Sequence, residues 1–328
     1  MALTHPFRWP TLAWMVLAAV MLLGMAVPAE AQQRMRVEGD WASILFEADG
    51  EQPAPDAYAA VTVDDRAWRR VAVPHNWQGY AYNRQLRVGA RHGVAWYRKT
   101  LTIAARAGDE RIALRFEGVN SYATIWVNGQ PVGKHGGGLT SFAVDITAAV
   151  RAGENIVAVR VDNPAGITDL PWVSGDDKPE NGFAEGSQPF GIFRPVWVER
   201  SAALRVRPYG AYAWGAPGAI TSKTATLTAR VELENRSAAA RTVDVEATLI
   251  DDRGRAVTTI RSRQSLAAGE ERMVDQAMPA IRNPRLWSPD NPYLHRLRTR
   301  IRDRGRVIDE TVTPFGIRTV AIVQDAQG

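Results

Sequence analysis

Residues 122–134 read YATIWVNGQPVGK and predict a β-hairpin. Asn128-Gly129 separates two short apolar segments, and both of its residues accept the positive φ that a two-residue type I′ turn requires. The same pattern continues outward, since large apolar residues occupy every second position in 112–116 and 157–161. A period of two residues predicts β-strands that each turn one face toward a core.

The second half of the chain repeats this alternation with different connections. Apolar residues occupy alternate positions in 227–233, 243–249 and 297–301, and turn signals occur at 252–254 and 303–305. Repeated strand–helix units, which a (β/α)8 barrel needs, are not apparent. The sequence therefore predicts an all-β protein built from β-sandwiches.

The first thirty-one residues have the pattern of a secretory signal. Arg8 supplies a positive charge, residues 11–27 are almost entirely apolar, and Ala29-Glu30-Ala31 forms a small-x-small cleavage pattern. The apolar run also approaches the length of a membrane span, so a retained anchor is the alternative. We expect cleavage near Ala31, no stable membrane anchor, and a periplasmic or secreted location.

Composition limits the classes of protein that the chain can belong to. The chain has no Cys, so disulfides cannot contribute to its stability. Forty basic residues face 35 acidic ones, and the two signs are mixed along the sequence. Because no basic block is interleaved with aromatic residues, nucleic acid is not the expected partner.

A series of motifs in a fixed order carries a family resemblance. In order they are VAVPHNW at 71–77, GVAWYRK at 93–99, IWVNG at 125–129, GIFRPV at 191–196, LWSPDNPYL at 286–294 and FGIR at 315–318. Together they resemble the opening domains of family 2 glycoside hydrolases across most of the chain. Each motif is weak alone, but their shared order is specific.

The resemblance implies a domain organisation. Members of this family begin with a jelly-roll sugar-binding domain, continue with an immunoglobulin-like sandwich, and end with a catalytic (β/α)8 barrel. The resemblance therefore implies a jelly roll over 32–207 and an immunoglobulin-like β-sandwich over 208–322. Residues 323–328 would lie where the barrel begins, and the Gly-, Pro- and Ala-rich stretch 210–219 marks the expected domain boundary.

The resemblance also limits the expected activity. A retaining glycosidase needs two carboxyl groups about 5 to 5.5 Å apart, and the family carries them in its barrel. No residue of this chain matches either one, so we assign no catalytic residue and expect no hydrolysis by this chain alone. The expected function is the carbohydrate-binding and supporting part of a family 2 enzyme, of the β-galactosidase, β-mannosidase or β-glucuronidase type, truncated or split from its barrel.

Two other functions remain as alternatives. The chain could be a free-standing secreted carbohydrate-binding module, or a structural or assembly protein that binds no sugar. The partners implied by the resemblance are a β-linked glycan or glycoside and a separately encoded catalytic barrel.

Two loops are the candidate sugar-binding segments, because loops carry ligand contacts more often than strands. The first, 77–84, is rich in aromatic and amide groups, and the second is the long irregular segment 164–189. The resemblance implies that the second loop helps to shape a substrate pocket; the alternative is that both are solvated loops. The candidate contacts are Trp77, Tyr80, Tyr82 and Asn83 in the first loop and Trp172, Asp176, Asp177, Glu180, Asn181 and Glu185 in the second.

No cofactor or metal is expected. The acidic residues of the second loop match no metal-binding spacing, and the five His residues are scattered along the chain. The three glycines at 136–138 are interpreted as allowing a close approach of two chain segments rather than as an anion site.

Two further groups of residues have structural interpretations. Trp96, Trp126, Trp197 and Trp287 are interpreted as core residues of the strands. Four arginines alternate along 296–302 and are expected to share one strand face. That face is either solvated, a charged sheet edge, or a docking surface for an acidic glycan or partner.

Overall fold

The computed structural model describes residues 33–77, 92–164 and 189–320. Its first ten strands form one β-sandwich, with the core between two antiparallel sheets. The strands are β1 (Gln33–Arg36), β2 (Trp41–Glu47), β3 (Arg69–Val71), β4 (Gly93–Ile103), β5 (Arg111–Phe116), β6 (Tyr122–Val127), β7 (Gln130–Gly136), β8 (Phe142–Asp145), β9 (Gly153–Asn163) and β10 (Val196–Ser201).

The two sheets of this sandwich differ in size. The smaller has the strand order β1-β10-β5-β8, and the larger has the order β3-β2-β4-β9-β6-β7. Trp41, Leu114, Phe116, Ile125 and Val159 are fully buried between them. This double-sheet arrangement is the jelly roll that the sequence predicts.

The predicted hairpin joins β6 to β7. Asn128 and Gly129 have φ values of 52° and 80°, as a type I′ turn requires. Asn128 is also held by its side chain, whose Nδ2 donates to Asn155 Oδ1 at 2.8 Å. The turn residues thus fix both the hairpin and its contact with β9.

Nine further strands form the second sandwich, whose main sheets have the orders β11-β13-β16 and β15-β14-β18-β19. Buried residues such as Leu233, Val245 and Leu297 fill the space between these sheets. This arrangement is the predicted immunoglobulin-like sandwich. The strands are β11 (Leu204–Trp214), β12 (Thr224–Ala225), β13 (Thr228–Asn235), β14 (Arg241–Ile250), β15 (Ala256–Leu266), β16 (Glu271–Ala277), β17 (Ile281–Arg282), β18 (His295–Asp303) and β19 (Arg306–Phe315).

The two sandwiches are joined by a very short connection. β10 ends at Ser201 and β11 begins at Leu204, so only Ala202 and Ala203 lie between them. The chain therefore changes sandwich a few residues before position 208. Side chains also cross the junction, where Tyr209 Oη lies 2.9 Å from Ser141 Oγ and Arg241 Nη1 donates to Asp109 Oδ2 at 2.7 Å.

Two of the four tryptophans are buried as predicted, but not between the two sheets. Trp96 and Trp126 stack with their ring centroids 5.2 Å apart in a separate buried cluster, on the face of the larger sheet that points away from the sandwich core. The prediction is wrong for Trp197, which is half-buried on the outer face of its sheet and donates from Nε1 to Glu117 Oε1 at 2.7 Å. It is also wrong for Trp287, which is half-buried beneath the Arg318 guanidinium.

The glycines at 136–138 allow a close approach, as expected. A Cβ atom on Gly138 would lie 1.8 Å from Oδ1 of the buried Asn120. Only glycine fits at that position.

In the part of the chain that the structure covers, no helix is long and apolar enough to cross a membrane. Residues 1–31 lie outside the described residues, so the secretory signal stays a prediction.

Candidate functional site

The candidate loops 77–84 and 164–189 fall largely within two segments, 78–91 and 165–188, that lie outside the described residues; these two segments are called the first and the second loop below. The structure describes Trp77 and His92 on either side of 78–91, and Pro164 and Pro189 on either side of 165–188.

One pair of ends is joined by two hydrogen bonds. The backbone N–H of Trp77 donates to the carbonyl of Phe190 at 2.7 Å, and the N–H of Phe190 donates to Asn76 Oδ1 at 2.7 Å. The N–H of His75 adds a third bond of 2.7 Å to the carbonyl of Ile192. The start of the first loop therefore lies against the end of the second.

The other pair of ends is joined through the larger sheet. Gly93, which follows the first loop, pairs with Asn163, which precedes the second, at the end of the β4–β9 ladder. Asn163 is buried, and its Oδ1 accepts a hydrogen bond of 2.8 Å from Ser121 Oγ. All four ends thus converge in what we call the loop-bearing end, defined by Asn76, Trp77, Gly93, Asn163 and Phe190.

Asn120 anchors the second loop from below. Its Nδ2 donates to the carbonyl of Pro189 at 2.6 Å, and its backbone N–H donates to the carbonyl of Gly191 at 3.1 Å. Asn120 Oδ1 is buried against Gly138 and has no hydrogen-bond partner among the described residues. The asparagine therefore fixes the end of the loop through its donors.

Gly191 permits the packing at this point. Its φ is 128°, a conformation that favours glycine, and a Cβ atom there would lie 2.2 Å from Tyr97 Oη. The buried Tyr97 hydroxyl is in turn hydrogen-bonded to His75 Nδ1 at 2.9 Å. Residues of the GIFRPV motif at 191–196 and of the VAVPHNW motif at 71–77 therefore both contact Tyr97.

The electrostatics at this end favour neutral groups. Burial and, to a smaller extent, the nearby Arg69 guanidinium together lower the pKa of His75 to about 4. Burial also raises the pKa of Tyr97 above its usual range. Both rings are uncharged at neutral pH, which suits a rigid support better than acid–base chemistry.

Trp77 is the one candidate contact residue that lies within the described chain. It is half-buried, its Nε1 donates to Ser43 Oγ at 3.2 Å, and its ring meets His75 edge-on at 5.1 Å. The other candidates lie outside the described residues, and these are Tyr80, Tyr82, Asn83, Trp172, Asp176, Asp177, Glu180, Asn181 and Glu185.

The residues that hold the loops in place were not among the predicted site residues. These are His75, Asn76, Tyr97, Asn120 and Gly191, and all but Asn120 lie within the motifs quoted above. The polar side chains of His75, Asn76 and Tyr97 inside otherwise apolar motifs were an available signal, because buried polar groups need specific partners. No group of three or more metal-ligating side chains occurs in the residues that the structure describes.

The pKa of His75 leads to a prediction about acid stability. Because its folded-state pKa lies below the ordinary 6.5, the unfolded chain binds the proton more readily. The stabilisation is complete above pH 6.5 and is lost as pH falls toward 4. We expect the midpoint temperature of thermal unfolding, measured by circular dichroism, to fall less between pH 6.5 and 4.5 for His75→Gln than for the unmodified protein.

Part of the acid sensitivity should remain in the variant, since burial also lowers the pKa of His135 and His295. The His135→Gln variant is a suitable comparison, because burial lowers the pKa of that residue too, but its imidazole lies against Thr140 Oγ1 and not against the Tyr97 hydroxyl. The prediction would be contradicted if the unfolding midpoint changed with pH equally in His75→Gln and in the unmodified protein.

Comparisons with known proteins agree with this architecture. The sequence model "Glycosyl hydrolases family 2, sugar binding domain" matches residues 35–198, and "Glycosyl hydrolases family 2" matches residues 216–318. The chain is 30% identical over 298 residues to the β-galactosidase BoGH2A of Bacteroides ovatus, covering 89% of this chain and 32% of that protein. It is 30% identical over 259 residues to a β-glucuronidase of Bacteroides fragilis, covering 76% of this chain and 35% of that protein.

A solved structure shows the same fold. The crystal structure of a Bacteroides uniformis β-glucuronidase superposes with a TM-score of 0.73 at 26% identity, covering 87% of this chain and 32% of that one. The chain thus spans about a third of the length of the relatives it matches. The two family matches and the two sandwiches together show that the chain belongs to glycoside hydrolase family 2, of which it carries the sugar-binding domain and the immunoglobulin-like domain.

Proposed function

We propose that the loop-bearing end of the first sandwich binds a β-linked glycan or glycoside, and that the chain acts as the non-catalytic, carbohydrate-binding part of a family 2 glycosidase. The observation that carries the proposal is the convergence of the four loop ends. Two loops that contain the candidate sugar contacts leave the sandwich side by side, so their side chains can act on one ligand.

The scaffold beneath the loops is suited to this role. Hydrogen bonds with Asn76, Trp77 and Asn120 hold the end of the second loop, at Pro189 and Phe190, against the sandwich. A site supported by rigid strands loses less conformational entropy on binding than a free loop would. The half-buried Trp77 adds an aromatic ring at the base of the site, where rings stack on the apolar face of a sugar.

The class of ligand follows from the relatives, which are named as β-galactosidases and β-glucuronidases. We therefore propose a β-galactoside or β-glucuronide as the first ligands to test, and a separately encoded catalytic barrel as the partner that would supply hydrolysis. We also propose export to the periplasm or medium after cleavage near Ala31. A free-standing binding module differs from this proposal only in needing no barrel.

The test is titration calorimetry with methyl β-galactoside, methyl β-glucuronide and their β-linked oligosaccharides. Trp77→Ala and Tyr82→Ala are expected to weaken binding at least tenfold, a loss of about 1.4 kcal/mol. The matched control is Trp214→Ala, because Trp214 is also half-buried but lies on β11 of the second sandwich.

Two results would overturn the proposal. One is the absence of heat with every sugar at millimolar concentration, which would favour the structural alternative. The other is an equal loss of affinity in Trp77→Ala, Tyr82→Ala and the control, which would place the sugar elsewhere.

A further inference from the structure

The second sandwich presents six arginines on one outer sheet face. β18 contributes four of them at alternate positions, while Leu297, Thr299 and Ile301 between them are fully buried. β15 contributes two more on the same side of the sheet. We call this the arginine face, and it consists of Arg261, Arg263, Arg296, Arg298, Arg300 and Arg302.

The strand register brings the two arginine rows to either side of β14. Arg300 lies opposite Glu246, which in turn lies opposite Arg261. One step along the strands, Arg302 lies opposite Asp244, which lies opposite Arg263. β18 lies between β14 and β19. It is therefore not an edge strand, and the interpretation that its arginines form a charged sheet edge is wrong.

The carboxylates on this face neutralise only part of its charge. Glu246, 4% exposed, forms ion pairs with Arg261 at 2.6 Å and Arg302 at 3.8 Å, and Glu310 pairs with Arg300. With Asp244, three carboxylates face six arginines, which leaves three positive charges. Within the described residues, no ion pair involves Arg263, Arg296 or Arg298.

The arginine side chains are partly pre-ordered by packing. Thr248 and Ile250 of β14 are buried although they point outward, as expected where the stems of long side chains on neighbouring strands lie over a sheet face. Arg298 Nε is buried and has no hydrogen-bond partner among the described residues. A buried donor without a partner costs free energy, and a ligand carboxylate that draws the Arg298 guanidinium outward would supply the missing acceptor.

We propose that the arginine face binds a linear acidic polysaccharide, with uronate carboxylates pairing with the guanidinium groups. Alternate residues on a strand repeat about every 6.8 Å, so β18 offers a straight row of cations to a straight polymer. Guanidinium groups recognise carboxylates with two parallel hydrogen bonds. The site is separate from the loop-bearing end and does not rest on the proposed function.

A polyuronate fits this face better than a nucleic acid does. The outward residues between the arginines are Thr248, Thr259, Ile250 and Val312, none of them aromatic. Proteins that bind single strands combine positive charge with aromatic rings on which bases stack. The arginine face carries positive charge but no aromatic ring among these outward residues.

The experiment measures binding of the full chain to polygalacturonate by titration calorimetry at low and at physiological salt. The triple variant Arg263→Gln/Arg296→Gln/Arg298→Gln is expected to weaken binding at least tenfold. A triple control, Arg66→Gln/Arg106→Gln/Arg151→Gln, removes the same charge from exposed sites of the first sandwich and is expected to weaken it less than twofold. Higher salt should weaken binding of the unmodified chain, since exposed charges are screened.

Two further variants separate loss of binding at this face from a folding defect and from binding at the loop-bearing end. Arg263→Gln/Arg296→Gln changes only exposed side chains, so it separates lost contacts from a folding defect. Tyr82→Ala should leave polygalacturonate binding unchanged, which distinguishes this face from the loop-bearing end. Absence of binding at low salt, or equal losses in the two triple variants, would overturn the proposal. Tighter binding of a single-stranded oligonucleotide would assign the face to nucleic acid instead.

Discussion

Replacing Gly191 with alanine is expected to destabilise the first sandwich by about 3 kcal/mol or more. At φ 128° an L-residue is strained, and the added Cβ would lie 2.2 Å from Tyr97 Oη and 3.1 Å from the carbonyl of His75. Neither neighbour can move freely, because Tyr97 is fully buried and the His75 segment is hydrogen-bonded to Ile192. Urea unfolding followed by tryptophan fluorescence measures the loss.

Two companion variants separate the causes of this loss. Gly254 also has a positive φ, 79°, but a Cβ there would meet nothing within 4 Å, so Gly254→Ala reports backbone strain alone. Tyr97→Phe removes the closest atom of the clash. We expect Gly191→Ala to cost clearly more than Gly254→Ala and to be partly rescued by Tyr97→Phe. Equal costs at the two glycines would show that the packing at Gly191 is not tight.

Replacing Glu199 with alanine is expected to cost about 3 to 5 kcal/mol. Glu199 is 1% exposed, accepts a hydrogen bond from Arg115 Nε at 2.6 Å, and forms an ion pair with Arg34 Nε at 2.9 Å. The Arg115 side chain is itself only 5% exposed, so removing the carboxylate leaves a nearly buried cation without its partner. The same unfolding assay measures the change.

A second substitution tests the cause of this effect. In Glu199→Leu/Arg115→Met both charges are replaced by apolar groups, and much of the stability should return, because a buried ion pair can be exchanged for good packing. The control is Glu38→Ala, which breaks an exposed pair with Arg36 and should change stability little. No recovery in the double variant would mean that Glu199 acts through its shape and not its charge.

The two sandwiches could be predicted from the sequence because their strands have a clear period of two. The turns were equally accessible, since Asn128-Gly129 and Asp303-Arg304-Gly305 contain residues that accept positive φ. The error at Trp197 has a simple physical origin. Size alone suggested burial, but Val196 and Val198 point inward, so alternation places the residue between them on the outer face.

The candidate site was only partly predictable. Aromatic and amide content identified the loops, but their convergence depends on contacts between residues far apart in sequence. Asn76 and Phe190 are separated by 114 positions and still share a hydrogen bond. Local patterns do not encode such pairings, because they arise from the packing of the whole sandwich.

The two-residue connection between β10 and β11 determines how the two proposed binding surfaces could cooperate. With Ala203 1% exposed and side chains tied across the junction, the two sandwiches offer their surfaces at one fixed separation. For a flexible tether, avidity varies smoothly with length. For a rigid pair, a glycan gains affinity from the second surface only if it is long enough to span both at that separation.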